Sequence, residues 1–265
     1  MFFENVAWSR AWYASVLPLA SRVVAAGDWR RQINAEAGSL QLMNHRQQAI
    51  RFVAQDELPD GMAYEAFISE TGRVPTRDNL HDFFNALVWL NFPQIKTQLN
   101  ALQSAQIASL GIGKSRGAAR DAATIFDENA ALLVVQDSDE GAQLIQALHN
   151  HQWRHAFMDK RYLFGVQCEV WSFGHALMEK LVQPYKAITA HAWVVKVGRD
   201  YFGLEADARR AALDQLVARQ LATHTLTTAD YTPLPVLGVP GWWPQQDEAF
   251  YADSQVFRAK RQSPK

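Results

Sequence analysis

The stretch from Pro75 to Pro93, PTRDNLHDFFNALVWLNFP, has the apolar content of a buried helix and a high density of short, directional polar groups. Arg77, Asn79, His81, Asp82 and Asn85 all fall within it. At a helical advance of about 100° per residue, Phe83, Phe84, Leu87 and Leu90 spread over one side. His81, Asp82, Asn85 and Trp89 share the opposite arc. Solvent-facing arcs favour long, flexible Lys, Glu, Arg and Gln, whereas these groups lose little rotamer entropy when fixed and can aim hydrogen bonds. His81 and Asp82 each reach Asn85 at helical spacing. His81 could supply acid–base function near neutral pH, Arg77 could grip an anionic group in two-pronged fashion, and Asn85 could orient a substrate. A structural hydrogen-bond network built from the same residues is the other reading.

A second block, FGHALMEKLVQPYK, sets His175 and Glu179 one helical turn apart, a spacing that serves metal chelation or an acid–base pair. A hydrogen-bonded histidine at a core edge fits the same pattern. Gly174 leaves room for close approach to neighbouring backbone. His191, inside the apolar run AITAHAWVV, needs a partner if buried. Together His81, His175 and His191, with Asp82 or Glu179, would form an oxygen–nitrogen set suited to a divalent metal such as Zn, Mn or non-haem Fe.

A third block, GIGKSRGAARDAATIFDEN, contains Gly113-Lys114-Ser115 but has Ala108 where a phosphate-binding P-loop needs glycine, so the P-loop is rejected. Lys114, Arg116 and Arg120 could still hold a phosphate or carboxylate, or belong to an exposed basic loop. Arg116 and Arg120 therefore join Arg77 and Asn85 as candidate substrate contacts, beside His81, Asp82, His175 and Glu179 as candidate catalytic groups. No nucleophile elbow, dinucleotide glycine fingerprint, zinc-protease helix or EF-hand loop is present. Cys168, in GVQCEVW, reads as inert packing.

The elements that must position these groups follow from periodicity. The first twenty-odd residues predict a helix docked by Phe3, Trp8, Trp12 and Leu17. SLQLMN and IRFVAQ suggest a strand pair, and MAYEAFISETGRVPT a further strand or extended entry. Thr76 or Asp78 is expected to cap the next helix, which Pro93 ends or bends. PQIKTQLNALQSAQIASLGIG resumes a helical pattern to Gly111. AATIFDENAALLVV reads as a hairpin turning at Asp127-Glu128-Asn129. Helices are expected in EGAQLIQALHNHQWRHAFMDK, FGHALMEKLV and LEADARRAALDQLVARQLAT, and a strand in AITAHAWVVKV. Residues 231–258, rich in proline and aromatics, should lie as an extended arm anchored by Trp242 and Trp243. Mixed helices and short strands without βαβ alternation give an α+β class. One domain over residues 1–258 is expected, followed by a basic, mobile tail at 259–265.

Composition narrows the functional classes. The 265 residues are 48% hydrophobic and 20% charged, ordinary for a globular chain. With 26 basic and 27 acidic residues, nucleic acid is not an expected partner. The single cysteine rules out an intrachain disulfide and a thiolate-rich zinc site. The N-terminus carries Glu4, Arg10 and Pro18 in place of a secretory pattern, and no apolar run reaches membrane-spanning length. A cytoplasmic, soluble protein is expected, with no membrane partner.

Several blocks in order, RDNLHDFFNALVWLNFP, RDAATIFDENAALL, FGHALMEK with AITAHA, and PLPVLGVPGWWP followed by FYADSQVFR, resemble an uncharacterised bacterial family, domain of unknown function 3025. The likeness runs from about Pro75 to Arg258. The family pattern has glycine after FDEN, where this chain has Ala130, which bears on the geometry of the expected turn. The resemblance implies no activity. The residues themselves support an enzyme with a polar pocket, a hydrolase of a small anionic molecule with or without a metal. The alternative is a non-catalytic binding or scaffold protein, whose GVPGWWP segment receives a partner peptide or a second copy of the chain.

Overall fold

The computed structural model describes residues 1–110 and 117–260. Its centre is strand β3 (Ala130–Gln136), the run AALLVVQ, in which every residue but Gln136 is buried. Such an unbroken apolar strand needs cover on both faces. It lies between β4 (Cys168–Ser172), antiparallel to it, and β5 (Thr189–Val197), parallel to it; β6 (Thr232–Pro235) closes the β4-β3-β5-β6 order, antiparallel to β5. β6 comes from the C-terminal arm. Its Pro233 and Pro235 lack ladder donors, which an edge strand tolerates.

A smaller parallel pair, β1 (Arg51–Ala54) and β2 (Arg73–Thr76), is joined by helix α3 (Tyr64–Thr71). Gly72, at φ 71°, caps α3 in the left-handed conformation, and a Cβ there would meet the Ala49 carbonyl oxygen at 2.5 Å. The remaining helices are α1 (Leu17–Ala25), α2 (Trp29–Ser39), α4 (Leu80–Asn91), α5 (Pro93–Leu110), α6 (Ala118–Asn129), α7 (Asp139–His149), α8 (His175–Lys180), α9 (Ala206–Thr223) and α10 (Glu248–Tyr251). The class is α+β.

Helices α4, α5, α8 and α9 and strand β5 form where periodicity places them, whereas α6 replaces the expected hairpin. It runs to Asn129 and passes directly into β3. Thr124 and Ile125 look β-like, but Ala122, Ala123 and Phe126 bury one helical face. Ala130 sits at φ −78°, ψ 149°, extended geometry that makes no demand for glycine.

The expected strand pair in SLQLMN and IRFVAQ is reduced to one Met43–Ala49 bridge, because α2 consumes Ser39 and β1 pairs with β2 instead. MAYEAFISETGRVPT divides into α3 and β2. The N-terminal segment buries Phe3 and Trp12 as expected, yet it holds only a short 3₁₀ turn at Ala11–Tyr13 before α1, whose first turn contains Pro18. The helical pattern after Glu140 ends at His149, and a π-helical turn follows at His155–Asp159.

The cap of α4 is neither Thr76 nor Asp78. Asn79 Oδ1 accepts the Asp82 backbone N–H at 2.8 Å. Asp78 is engaged by the Trp29 indole and Arg30, and Thr76 belongs to β2. α5 is held by α9: Asp214 accepts the N–H groups of Gln94 at 3.1 Å and Ile95 at 2.9 Å. The arm folds back on the domain, with the Tyr231 hydroxyl donating to the Ala122 carbonyl at 2.7 Å and the Trp242 ring 6.4 Å from that of Trp12. The basic tail lies largely outside the described residues.

A tight junction sets the start of α8 against the end of α6. A Cβ on Gly174 would meet the Glu128 carbonyl oxygen at 2.4 Å and the Asn129 nitrogen at 2.5 Å. Both are backbone atoms, so no side-chain rotation relieves the clash. Gly174→Ala is expected to lose about 1–3 kcal/mol of stability in urea unfolding. Gly198→Ala, where a Cβ meets nothing within 4 Å and φ is −68°, should stay near wild type.

Candidate functional site

That junction delivers His175, the first residue of α8, to a cavity of about 290 Å³ walled by α3, α4, α5, α6 and the β2–α4 connection. Every lining residue except Leu58 carries a polar side-chain group. Of the residues expected from the sequence, Arg77, His81, Asp82, Asn85 and His175 line it together, and Glu179 stands behind His81.

Two imidazoles meet at the wall. His81 Nε2 and His175 Nε2 are 3.1 Å apart, their rings nearly perpendicular at 83°. His81 Nδ1 lies 2.9 Å from Glu179 Oε2. On the inner side, His175 Nδ1 is 3.9 Å from Asp127 Oδ2. Asp127 pairs with Lys96 at 2.5 Å. Lys96 also donates to Asn85 Oδ1 at 2.8 Å and lies 5.2 Å from the centre of the Trp89 ring, and Asn85 donates to the Tyr64 hydroxyl at 3.0 Å. A connected polar path thus runs from half-exposed Glu179 to buried Lys96.

The electrostatics follow from this placement. Burial pushes the His175 ring down to about 3; Asp127 opposes that shift, while Lys96 and His81 reinforce it, so the ring is neutral. Burial alone would raise the Asp127 carboxyl, but the Lys96 ammonium holds it below the usual carboxylate range. Glu65, which accepts a hydrogen bond from Asn100 at 2.7 Å, is pushed upward by burial and by Asp127. Burial raises the Tyr64 phenol well above its ordinary value, aided by Glu65 and Asp82.

Arg77 lines the cavity but is paired within the chain. Its Nε and Nη2 each lie 2.9 Å from an oxygen of Asp82, which also accepts the Arg77 backbone N–H at 2.6 Å. The fork expected to grip a substrate is closed on Asp82, and the Asp82 carboxylate is correspondingly occupied. His191 is not brought to the other two histidines. It lies exposed on β5, with its ring 5.8 Å from that of Tyr231, so the three-histidine metal set is not assembled. Among the described residues no group of three or more His, Cys, Asp or Glu side chains is arranged to hold a metal ion. Arg120 sits on α6, where its charge acts on Glu65, but it does not line the cavity. Arg116 lies outside the described residues.

Sequence reasoning missed Lys96, Asp127, Tyr64, Glu65 and Glu128. A signal for Lys96 existed: Lys96, Asn100 and Gln103 recur at helical spacing beside Ile95 and Leu99, and all three are buried. Asp127 was hidden by the hairpin reading, which put it at a solvated tip.

The neutral His175 has a measurable consequence. In the unfolded chain a histidine gains its proton near pH ~6.5. Below that pH the unfolded state binds more protons than the native one, so this stabilisation is complete above ~6.5 and is lost as pH falls toward 3. The raised Glu65 carboxyl acts in the opposite sense just above the ordinary carboxylate range, and it cancels when wild type is compared with a His175 variant. Between pH 7.5 and 5.5 wild type should lose about 1 kcal/mol more unfolding free energy than His175→Gln. Equal losses would mean that the native ring charges freely.

No curated protein and no solved structure matches the chain. The family model described as Protein of unknown function (DUF3025) matches residues 50–261, a span that contains every cavity-lining residue together with Lys96 and Glu179, and the chain belongs to that family.

Proposed function

We propose that the cavity is the active site of a hydrolase for a small polar molecule, with His81 as its acid–base residue. The observation that carries this reading is the position of His81. Its side chain is 34% exposed at the cavity wall, one nitrogen is held by Glu179, and the other is engaged with His175. A carboxylate that fixes one imidazole nitrogen orients the other for proton transfer. Among the described lining residues there is neither serine nor cysteine, and the Thr124 hydroxyl is turned to the Arg120 carbonyl at 3.0 Å, so water is the nucleophile in this reading.

The lining favours an uncharged or cationic substrate over the anionic one expected from the sequence. Arg77 is neutralised by Asp82 and Lys96 by Asp127, while Glu65 and Glu128 remain at the wall. A cavity of this size suits a small metabolite rather than a polymer. Water, or a ligand atom, could replace His175 as the partner of His81 Nε2.

A structural role is supported for the inner end of the path, where the Lys96 side chain is 4% and the Asp127 side chain 10% exposed. The scaffold reading extends that role to the outer end. A panel of small amides, acetals and esters, followed by NMR detection of products, separates the two. Turnover should fall by about 10²–10⁴-fold in His81→Gln and less in Glu179→Gln. Hydrolysis at the wild-type rate in both variants, or of no panel member by wild type, would leave the scaffold reading in possession of the site.

A further inference from the structure

We infer that the His81–His175 hydrogen bond runs in one direction, with His81 donating through Nε2 and His175 accepting, and that Asp127 is the positioning residue that imposes this direction. The inference rests on the reading of the cavity as an acid–base site and narrows its substrate class.

The two Nε2 atoms at 3.1 Å share one hydrogen. If His175 carried it, the neutral ring would present a bare Nδ1. That atom is buried, has no hydrogen-bond partner, and faces the Asp127 carboxylate oxygen at 3.9 Å. The main-chain carbonyl of Asp127 also favours a proton on this ring. Both neighbours are acceptors only, and a lone pair turned toward a carboxylate in a dry setting is costly. The hydrogen of His175 therefore sits on Nδ1, and its Nε2 is the acceptor. Lys96 keeps Asp127 ionised and so keeps it an acceptor.

The same count applied to His81 fixes the outer end. With a hydrogen on Nε2, a bare Nδ1 would stand 2.9 Å from Glu179 Oε2, again acceptor against acceptor. A second hydrogen must occupy that contact, on Nδ1 or on the carboxyl. The other charged or titratable groups at the wall, Tyr64 and Glu65 from α3, Arg77 from the β2–α4 connection, Asp82 in the first turn of α4, and Glu128 from α6, make no hydrogen bond to either imidazole. The His81–Glu179 pair thus rests with a transferable proton and is a donor before it is a base.

This order of events selects substrates. His81 Nε2–H passes to the leaving atom as that atom's bond to carbon breaks, and the bonding electrons stay on the leaving atom. Water forms the new bond to carbon, and its proton returns to the His81–Glu179 pair. Such a site benefits molecules whose leaving atom is strongly basic, an amine nitrogen or an alkoxide oxygen, as in amides and acetals. Activated esters leave without a proton and gain least.

Nitrogen NMR of the full chain labelled with ¹⁵N-histidine reads the hydrogens directly at pH 7, without any substrate. His81→Gln and His175→Gln assign the two rings among the eight histidines. Wild type should show His175 protonated at Nδ1 and bare at Nε2, with His81 protonated at Nε2. In Asp127→Asn the new amide can donate to Nδ1, and the His175 Nε2 signal should convert from bare to protonated nitrogen. A wild-type His175 protonated at Nε2 would overturn the inference even if the variant fails to fold. A folded Asp127→Asn that keeps hydrogen on Nδ1 would overturn the role of Asp127. Because no turnover enters this measurement, its failure and the failure of the hydrolase reading are separate results.

Discussion

The buried pair of Lys96 and Asp127 is the constraint on which the site depends. An ammonium and a carboxylate taken out of water lose several kcal/mol of solvation each, on the order of what their attraction returns only when the geometry is good and the remaining donors and acceptors are met. Here they are met. The Lys96 ammonium reaches Asp127 and Asn85 and lies over the Trp89 ring. A pair of this kind fixes α5 against α6, and Asn85 and Trp89 tie both to α4. It also gives the interior a permanent negative group facing His175, which an apolar pair of the same volume would not.

Two devices hold that arrangement in register. At one end of α5, the Asp214 carboxylate on α9 caps the turn immediately before Lys96 and so sets where the ammonium enters the core. Burial pushes that carboxyl up to about 6, against the backbone N–H groups that favour its charge. At the end of α6, Gly174 lets α8 begin in contact with that helix's last turn, which puts His175 beside Asp127 rather than a side-chain diameter away. The ion pair supplies the charge, and these two contacts decide which groups experience it.

The sequence carries those parts of the site that declare themselves by local pattern. His81, Asp82 and Asn85 fall on one arc of a strongly apolar helix, and His175 and Glu179 share a turn; both are consequences of helical period and need no tertiary knowledge. What local pattern cannot encode is the partner chosen across space. Arg77 has the shape for a bidentate grip, but nothing in its neighbourhood distinguishes a substrate carboxylate from Asp82, five residues away and turned back by the Asn79 cap. His191 satisfies every local condition for a buried ligand, yet strand alternation on β5 leaves it exposed. The fold divides the same way: continuous periods gave α5, α9 and β5, whereas α6 was obscured because a β-branched pair in its middle outweighed a correct apolar spacing. With that helix read as a hairpin, Asp127 became a turn residue, and the charge at the heart of the site went unseen.

Exposure is confined to the outer end of the path, which supports the proposed role of His81. Lys96, Asp127 and His175 are all buried, while His81 at 34% and Glu179 at 42% side-chain exposure meet solvent. A network whose purpose was only to lock helices would gain by burying its outer members, since exposed pairs are screened by water and contribute little. A network that exchanges protons needs the opposite: an inner charge that never titrates, an intermediate ring that stays neutral, and an outer ring that a small molecule can touch. These side chains set a fixed charge inside and an accessible ring at the surface, and the proposed hydrolase reading therefore places the chemistry at His81 rather than at the more deeply buried histidine behind it.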